Sequence, residues 1–209
     1  MNGHSYFHNK PVVIVLKKNK PKYRQIIDAA VIVIADNGYH QAQVSKIAKQ
    51  AGVADGTIYL YFKNKEDILI SVFKEKMSLF VDNLQDIMKE STSASEMLYR
   101  MIEGHFKVLS EDHHLAIVTQ LELRQSNKDL RLKINSILKE YLKLLDEILK
   151  MGIEAGEFMK DIDIRLVRQV IFGTIDEVST TWVMKEQKYD LVTMAPRVHQ
   201  ILLKGIQKG

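Results

Sequence analysis

"QVSKIAKQAGVADGTIYLYFKNKEDIL", residues 43–69, decides how the chain is read. Val44, Ile47, Ala48 and Ala51 recur at helical spacing, which predicts a short helix from about Val44 to Ala51 that stops at Gly52. A second short helix is expected from Ala54 or Asp55 to about Tyr61, with the aspartate able to cap the free N–H groups. Ala48 is small enough for the two helices to approach, Gly52 permits the turn, and Val53 and Ile58 fill the angle between them. This is the helix-turn-helix arrangement, whose second helix enters the DNA major groove. Once Val53 and Ile58 point inward, Thr57, Tyr59 and Tyr61 cannot all be buried. Their hydroxyls suit phosphate oxygens, and their carbon bodies suit sugars and thymine methyls. The residues expected at DNA are Gln43, Ser45, Lys46, Asp55, Gly56, Thr57, Tyr59, Tyr61 and Lys65. Lys65 opens the next helix, where its ammonium and free backbone N–H groups can hold a phosphate. A plain three-helix bundle with surface tyrosines is the competing reading.

Upstream, Pro21 is suited to open a helix because its missing N–H would be an orphan there. Tyr23, Ile26, Ile27, Ala30 and Ile34 share one face of it, and Asn37-Gly38 ends it. Residues 1–20 stand apart as a disordered leader or a basic arm (Lys17, Lys18, Lys20, with Lys22 just beyond) reaching a neighbouring groove. The apolar run in "PVVIVLKK" is too short to span a bilayer, and no small-residue cleavage site follows it.

The whole chain has 209 residues, 46% hydrophobic and 27% charged, room for a sizeable core. It has no cysteine, which excludes disulfides, thiolate metal sites and thiol nucleophiles and fits a reducing cytoplasm. Residues 1–67 carry ten Lys/Arg against five Asp/Glu, although the chain's net charge is only +4. An anionic partner at the front end follows from that asymmetry. Helical spacing between few glycines and prolines predicts an all-α chain of about nine helices. A DNA-binding domain is expected over 21–66 and a helical ligand-binding and dimerisation domain over 67–209. The rear helices are expected at Glu66–Glu90, Met97–Leu109, Asp112–Leu123, Asn127 to about Met151, Ile164–Met184 and Leu191–Ile206.

Several rear residues invite sharper roles. His113-His114 lack a third ligand at metal spacing, so no metal site is expected. Glu122 and His105 resemble an acid–base pair, yet no nucleophile or substrate position accompanies them, so no catalytic residue is assigned. The methionines, with phenylalanines 73, 80, 106 and 172, either form plain core or line a ligand cavity. The small-residue helix "IFGTIDEVSTTWVM" (171–184) and the terminal helix fit a homodimer interface through Phe172, Gly173, Asp176, Thr180, Trp182, Val198, Ile201 and Leu202, an ordinary buried helix being the alternative. Two half-sites on DNA also call for a dimer.

Residues 43–69 resemble the DNA-binding signature of the TetR family of bacterial repressors. The matching positions are Ile47-Ala48, Ala51-Gly52-Val53, Gly56-Thr57-Ile58-Tyr59, Tyr61-Phe62 and Lys65-Glu66 with Leu69. Gln43 and Ala54 depart from it, standing where the family often has Thr and Ser. "LAIVTQLELRQSN", "FGTIDEVSTTWVM" and "QKYDL" are similar to the fatty-acid-degradation repressors of Gram-positive bacteria within that family. The resemblance implies repression of β-oxidation genes, long-chain acyl-CoA as inducer and no other cofactor. The residues themselves permit this: the apolar side chains Phe73, Met77, Phe80, Met101, Phe106, Leu121 and Phe172 suit an acyl tunnel. Arg124, Arg131 and Lys133 would meet the CoA phosphates, or else form a solvated helix face. A sensor of another apolar or cationic molecule, such as a drug or a signalling lactone, is the alternative. That reading requires buried carboxylates among Glu103, Glu122, Asp176 and Glu177.

Overall fold

Side-chain caps set most of the helix starts. The structure, a computed structural model, describes residues 21–122 and 125–208. The leader, residues 1–20, and the cation expected at Arg124 lie outside the described residues. Helix α1 (Pro21–Gln41) breaks at Gly38, whose φ of 72° and ψ of 153° leave the helical region. Glycine reaches such a φ without Cβ strain. Helices α2 (Val44–Gln50) and α3 (Asp55–Ile58) follow, the turn between them passing through Gly52 at φ 60°. Helix α4 (Lys65–Glu90) starts where the Asn64 side chain accepts the Asp67 N–H. Ser93 caps α5 (Ala94–Glu111), Asp112 caps α6 (His113–Leu121), Asn127 caps α7 (Lys128–Glu154) and Asp163 caps α8 (Ile164–Met184). A 3₁₀ turn (Val192–Met194) leads into α9 (Ala195–Lys204). Among the described residues these nine α-helices are accompanied by no strand beyond one isolated bridge, Phe158 to Gln207.

One expected boundary and one expected cap change on physical grounds. Helix α5 begins at Ala94 rather than Met97, because Ser93 accepts the Glu96 N–H while Glu96 accepts the Thr92 N–H, a reciprocal cap. Asp55 is not the cap of α3: Ala54 occupies that position and no side chain caps the helix.

The buried side chains form two cores threaded by one helix. The first gathers Tyr23, Ile26, Ile34, Ile47, Ile58 and Phe62 with Ile68, Leu69, Val72 and Phe73 of α4, and with Leu115, Val118, Leu130 and Ile134 from further along the chain. The second gathers Met77, Phe80, Leu84 and Ile87 of α4 with residues of α5, α7, α8 and α9. Helix α4 is therefore a rod anchored in both. Polar ties cross at the same place. The Tyr39 N–H donates to Glu122 Oε1 at 3.0 Å, and Lys133 Nζ meets Glu66 Oε1 at 2.6 Å. No helix among the described residues is long and apolar enough to cross a membrane.

Candidate nucleic-acid interface and interior cavity

The front face is built by what the first core withholds. Ile58 and Phe62 are fully buried, and Phe62 stacks on Tyr23 with ring centroids 5.2 Å apart. That fixes the rotation of α3 and turns Asp55, Gly56 and Tyr59 to solvent, as burial of Ile47 and Ala48 does for Gln43, Ser45 and Lys46 at α2. Tyr59 is 58% exposed. Thr57 is half-buried, and Tyr61 lies against the first core with its ring tilted over Phe62 at 6.4 Å. Sequence reasoning passed over Leu60, which is 73% exposed between the two tyrosines. A large aliphatic side chain left in water beside polar rings was the signal available, since apolar contact is how a thymine methyl is read.

Lys65 does not stand free at the start of α4. Its Nζ donates to the His40 carbonyl at 2.9 Å and lies 4.7 Å from the centre of the Tyr39 ring. Lys46 Nζ likewise donates to Asn37 Oδ1 at 2.8 Å. Both ammoniums serve to hold the end of α1 against this face, and each retains further N–H groups.

Behind the front unit, α4 and α7 leave a groove of about 520 Å³ lined by Ile70, Lys74, Met77, Ser78, Val81, Lys133, Ser136, Ile137 and Glu140. A second, smaller cavity of about 20 Å³ also has Met77 in its wall. Its apolar wall is Phe73, Met77, Phe80, Leu138 and Phe172; its polar wall is His105, Thr119, Gln120 and Asp176. Met77 borders both spaces. Of the residues expected at a ligand, Phe73, Met77, Phe80, Phe172 and Lys133 line one or the other. The rest do not. Met101 and Phe106 are packed into the second core, and Leu121 is 45% exposed at the end of α6. Arg131 turns back to donate to the Gln125 and Ser126 carbonyls.

The suspected His105–Glu122 pair is not formed. His105 Nδ1 pairs with the Tyr141 hydroxyl at 3.0 Å, while Glu122 accepts the Tyr39 N–H and the Gln125 amide. Burial lowers the His105 pKa to about 3, so the ring is neutral. Its Nε2 has no hydrogen-bond partner among the described residues. With the Gln120 amide turned so that its NH₂ faces the acceptors, it donates to Thr180 Oγ1 at 3.1 Å and to Asp176 O and Oδ1 at 3.2 Å. His113 and His114 lie apart from one another's work, one stacked on Trp182 and the other 3.8 Å from Asp36. No group of potential metal ligands exists among the described residues.

The expected dimer face needs correction. Trp182 is buried and donates to the Tyr189 carbonyl, and Val198 and Leu202 are buried in the second core. Asp176 is buried toward Gln120. These four belong to the protomer's interior. Phe172 and Thr180 are half-buried, while Gly173 and Ile201 are exposed, the latter by 71%. Sequence reasoning missed Leu166, Val170 and Met184, all exposed on α8. With Gly173 and Glu177 they form one stripe along that helix, at helical spacing.

Two family models match the chain. Residues 26–72 match "Bacterial regulatory proteins, tetR family", and residues 73–205 match "YsiA-like protein, C-terminal region". The chain is 64% identical over 191 residues to the fatty acid metabolism regulator protein of Bacillus subtilis, covering 91% of this chain and 98% of that one. The crystal structure of FadR from B. subtilis in complex with stearoyl-CoA superposes with a TM-score of 0.86 at 65% identity, covering 88% of this chain and all (100%) of that one. The fatty acid degradation regulator FadR of Bacillus halodurans does so with a TM-score of 0.86 at 64% identity, again over 88% of this chain and 100% of that one. A helix-turn-helix front, a helical body and these likenesses across nearly the whole described chain lead to one conclusion: the protein belongs to the TetR family of bacterial regulatory proteins.

Proposed function

We propose that the chain is a DNA-binding repressor of fatty-acid degradation genes, acting as a cytoplasmic homodimer and released from its operator by long-chain acyl-CoA. One observation carries the reading: the groove and the inner cavity are both lined by α4, the helix that also anchors the front unit. A cavity of about 20 Å³ holds roughly one water, far less than the several hundred Å³ that ligand pockets of drug-like size occupy. An acyl chain can enter only if α4 separates from α7 and α8. The ligand then favours the separated state, and its differential affinity for that state is what displaces DNA. Reversing a 99:1 preference takes about 5.5 kcal/mol. Lys74 and Lys133 at the groove rim suit the CoA phosphates. The test is fluorescence anisotropy on a DNA fragment selected by the protein itself, titrated with stearoyl-CoA. Release is expected; binding that is indifferent to saturating stearoyl-CoA would contradict the reading.

A sensor of cationic ligands is favoured by one feature, the burial of Asp176 beside the cavity. Glu103 and Glu122 are only half-buried and Glu177 is exposed, and Asp176 already faces the Gln120 amide. Those facts, with the likeness to a stearoyl-CoA-binding relative, favour the acyl-CoA reading.

On the front face, Tyr59→Phe removes a hydroxyl suited to phosphate, so operator affinity should fall about 3- to 10-fold on all sequences alike. Leu60→Ala should instead relax preference at one base pair, because a methyl contact carries sequence information. Binding-site selection with each variant separates the two effects.

Glu122→Ala should leave both operator and acyl-CoA binding near their normal strength while weakening the effect of each on the other. It removes the acceptor for the Tyr39 N–H, a tie between the body and the end of α1. Coupling free energies of this kind are typically about 1–3 kcal/mol. The coupling is read as the ratio of operator Kd values with and without stearoyl-CoA.

A further inference from the structure

The inner cavity has a polar wall that a purely apolar tunnel would not need. His105 lines the cavity, and its Nε2 is buried and lacks a partner among the described residues. A buried donor or acceptor left unsatisfied is costly, so such atoms usually mark a water or ligand position. The ring is held rigidly: Phe80 packs on it with centroids 4.7 Å apart, and Tyr141 fixes its other nitrogen. A phenol is a better hydrogen-bond donor than acceptor. The favoured arrangement has the Tyr141 hydroxyl donating to Nδ1, which leaves Nε2 carrying the proton. A lining residue of the cavity therefore carries an unpartnered N–H donor that calls for an oxygen acceptor.

Position selects which oxygen. If the CoA body lies in the outer groove against Lys74 and Lys133, the part of the ligand that comes to rest beside Met77 is the thioester, with the acyl tail running deeper. Thus, resting on the acyl-CoA reading above, we infer that His105 is the specificity-determining residue that recognises the inducer's thioester carbonyl, its Nε2–H donating to that oxygen, with Tyr141 as the positioning residue that fixes the tautomer. The residue selects activated acyl thioesters over ligands of equal length that lack a carbonyl at this point.

The test compares stearoyl-CoA with S-octadecyl-CoA, a thioether of the same chain length without the carbonyl, by isothermal titration calorimetry on the full chain. The unaltered protein should bind the thioester about tenfold more tightly, as one net hydrogen bond allows. His105→Phe should bind both ligands equally. Tyr141→Phe, which keeps the ring and removes only the hydroxyl, should narrow the preference by freeing the tautomer. Operator binding without ligand confirms that each variant is folded, and Tyr141→Phe carries the test if the histidine variant fails that control. A preference that survives unchanged in the folded variants, or equal binding of both ligands by the unaltered protein, overturns the role of His105 while leaving acyl-CoA binding intact. If the unaltered protein binds neither ligand, the acyl-CoA reading falls as well.

Discussion

Replacing Gly173 with arginine should convert the dimer into folded monomers and lower operator affinity by about a thousandfold or more. Gly173 sits at the centre of the exposed stripe of α8, and a Cβ built there meets no atom within 4 Å. The protomer itself has no steric objection to a side chain. Glycine inside a helix even costs about 0.5–1 kcal/mol relative to alanine, so its presence in α8 calls for a close neighbour from outside the protomer. In a two-fold interface the same residue recurs on both sides, and a guanidinium would be forced against its twin helix. TetR-family regulators bind operator DNA as dimers, so a monomer retains only one reading unit. Loss of specific contacts on that scale spans about 10³ or more in affinity. Size-exclusion chromatography with light scattering and operator anisotropy check both halves. A Gly173→Arg protein that remains dimeric would move the interface elsewhere.

The second large effect is expected at Lys74. Lys74→Glu should weaken stearoyl-CoA binding by about 100-fold and leave operator affinity within about twofold. Lys74 is exposed at the groove rim, so reversing its charge removes one charge-assisted contact to a CoA phosphate and adds a repulsion in its place. Lys133 shares the rim but is engaged with Glu66 at the start of α4, and that contact raises the pKa of Lys133. Reversing Lys133 would disturb the front unit as well as the ligand, so Lys74 gives the cleaner result. Calorimetry with stearoyl-CoA, and with CoA alone as a control for the phosphate part, measures the loss.

Helix positions were legible because caps and periodicity are local. Gly38, Gly52, Asn127 and the bounds of α8 are fixed by residues within a turn of themselves. The inward and outward faces of α8 were not legible, because the helix is apolar on both. Ile171, Ile175 and Trp182 go to the core while Leu166, Val170 and Met184 face water, and only the packing of the other helices decides between the two stripes. Trp182 was assigned to the dimer face for that reason. Long-range partners were equally hidden. Lys65 is engaged by Tyr39 and His40, and His105 by Tyr141 on another helix. No spacing rule along the chain reports such pairs. The acyl tunnel was expected as a lined space, whereas the structure has a groove and a small inner cavity that share Met77 in their walls.

The central claim is that a ligand entering beside α4 moves the two front units relative to each other. The chain has no cysteine, so a single Lys49→Cys variant carries one spin label per protomer on the exposed side of α2. Double electron–electron resonance on the dimer should give one distance distribution with operator bound, consistent with recognition helices about 34 Å apart. Saturating stearoyl-CoA should displace the distribution by several Å as DNA is released, because α4 cannot open the cavity without carrying the front unit with it. An unchanged distance distribution with stearoyl-CoA bound would contradict this mechanism.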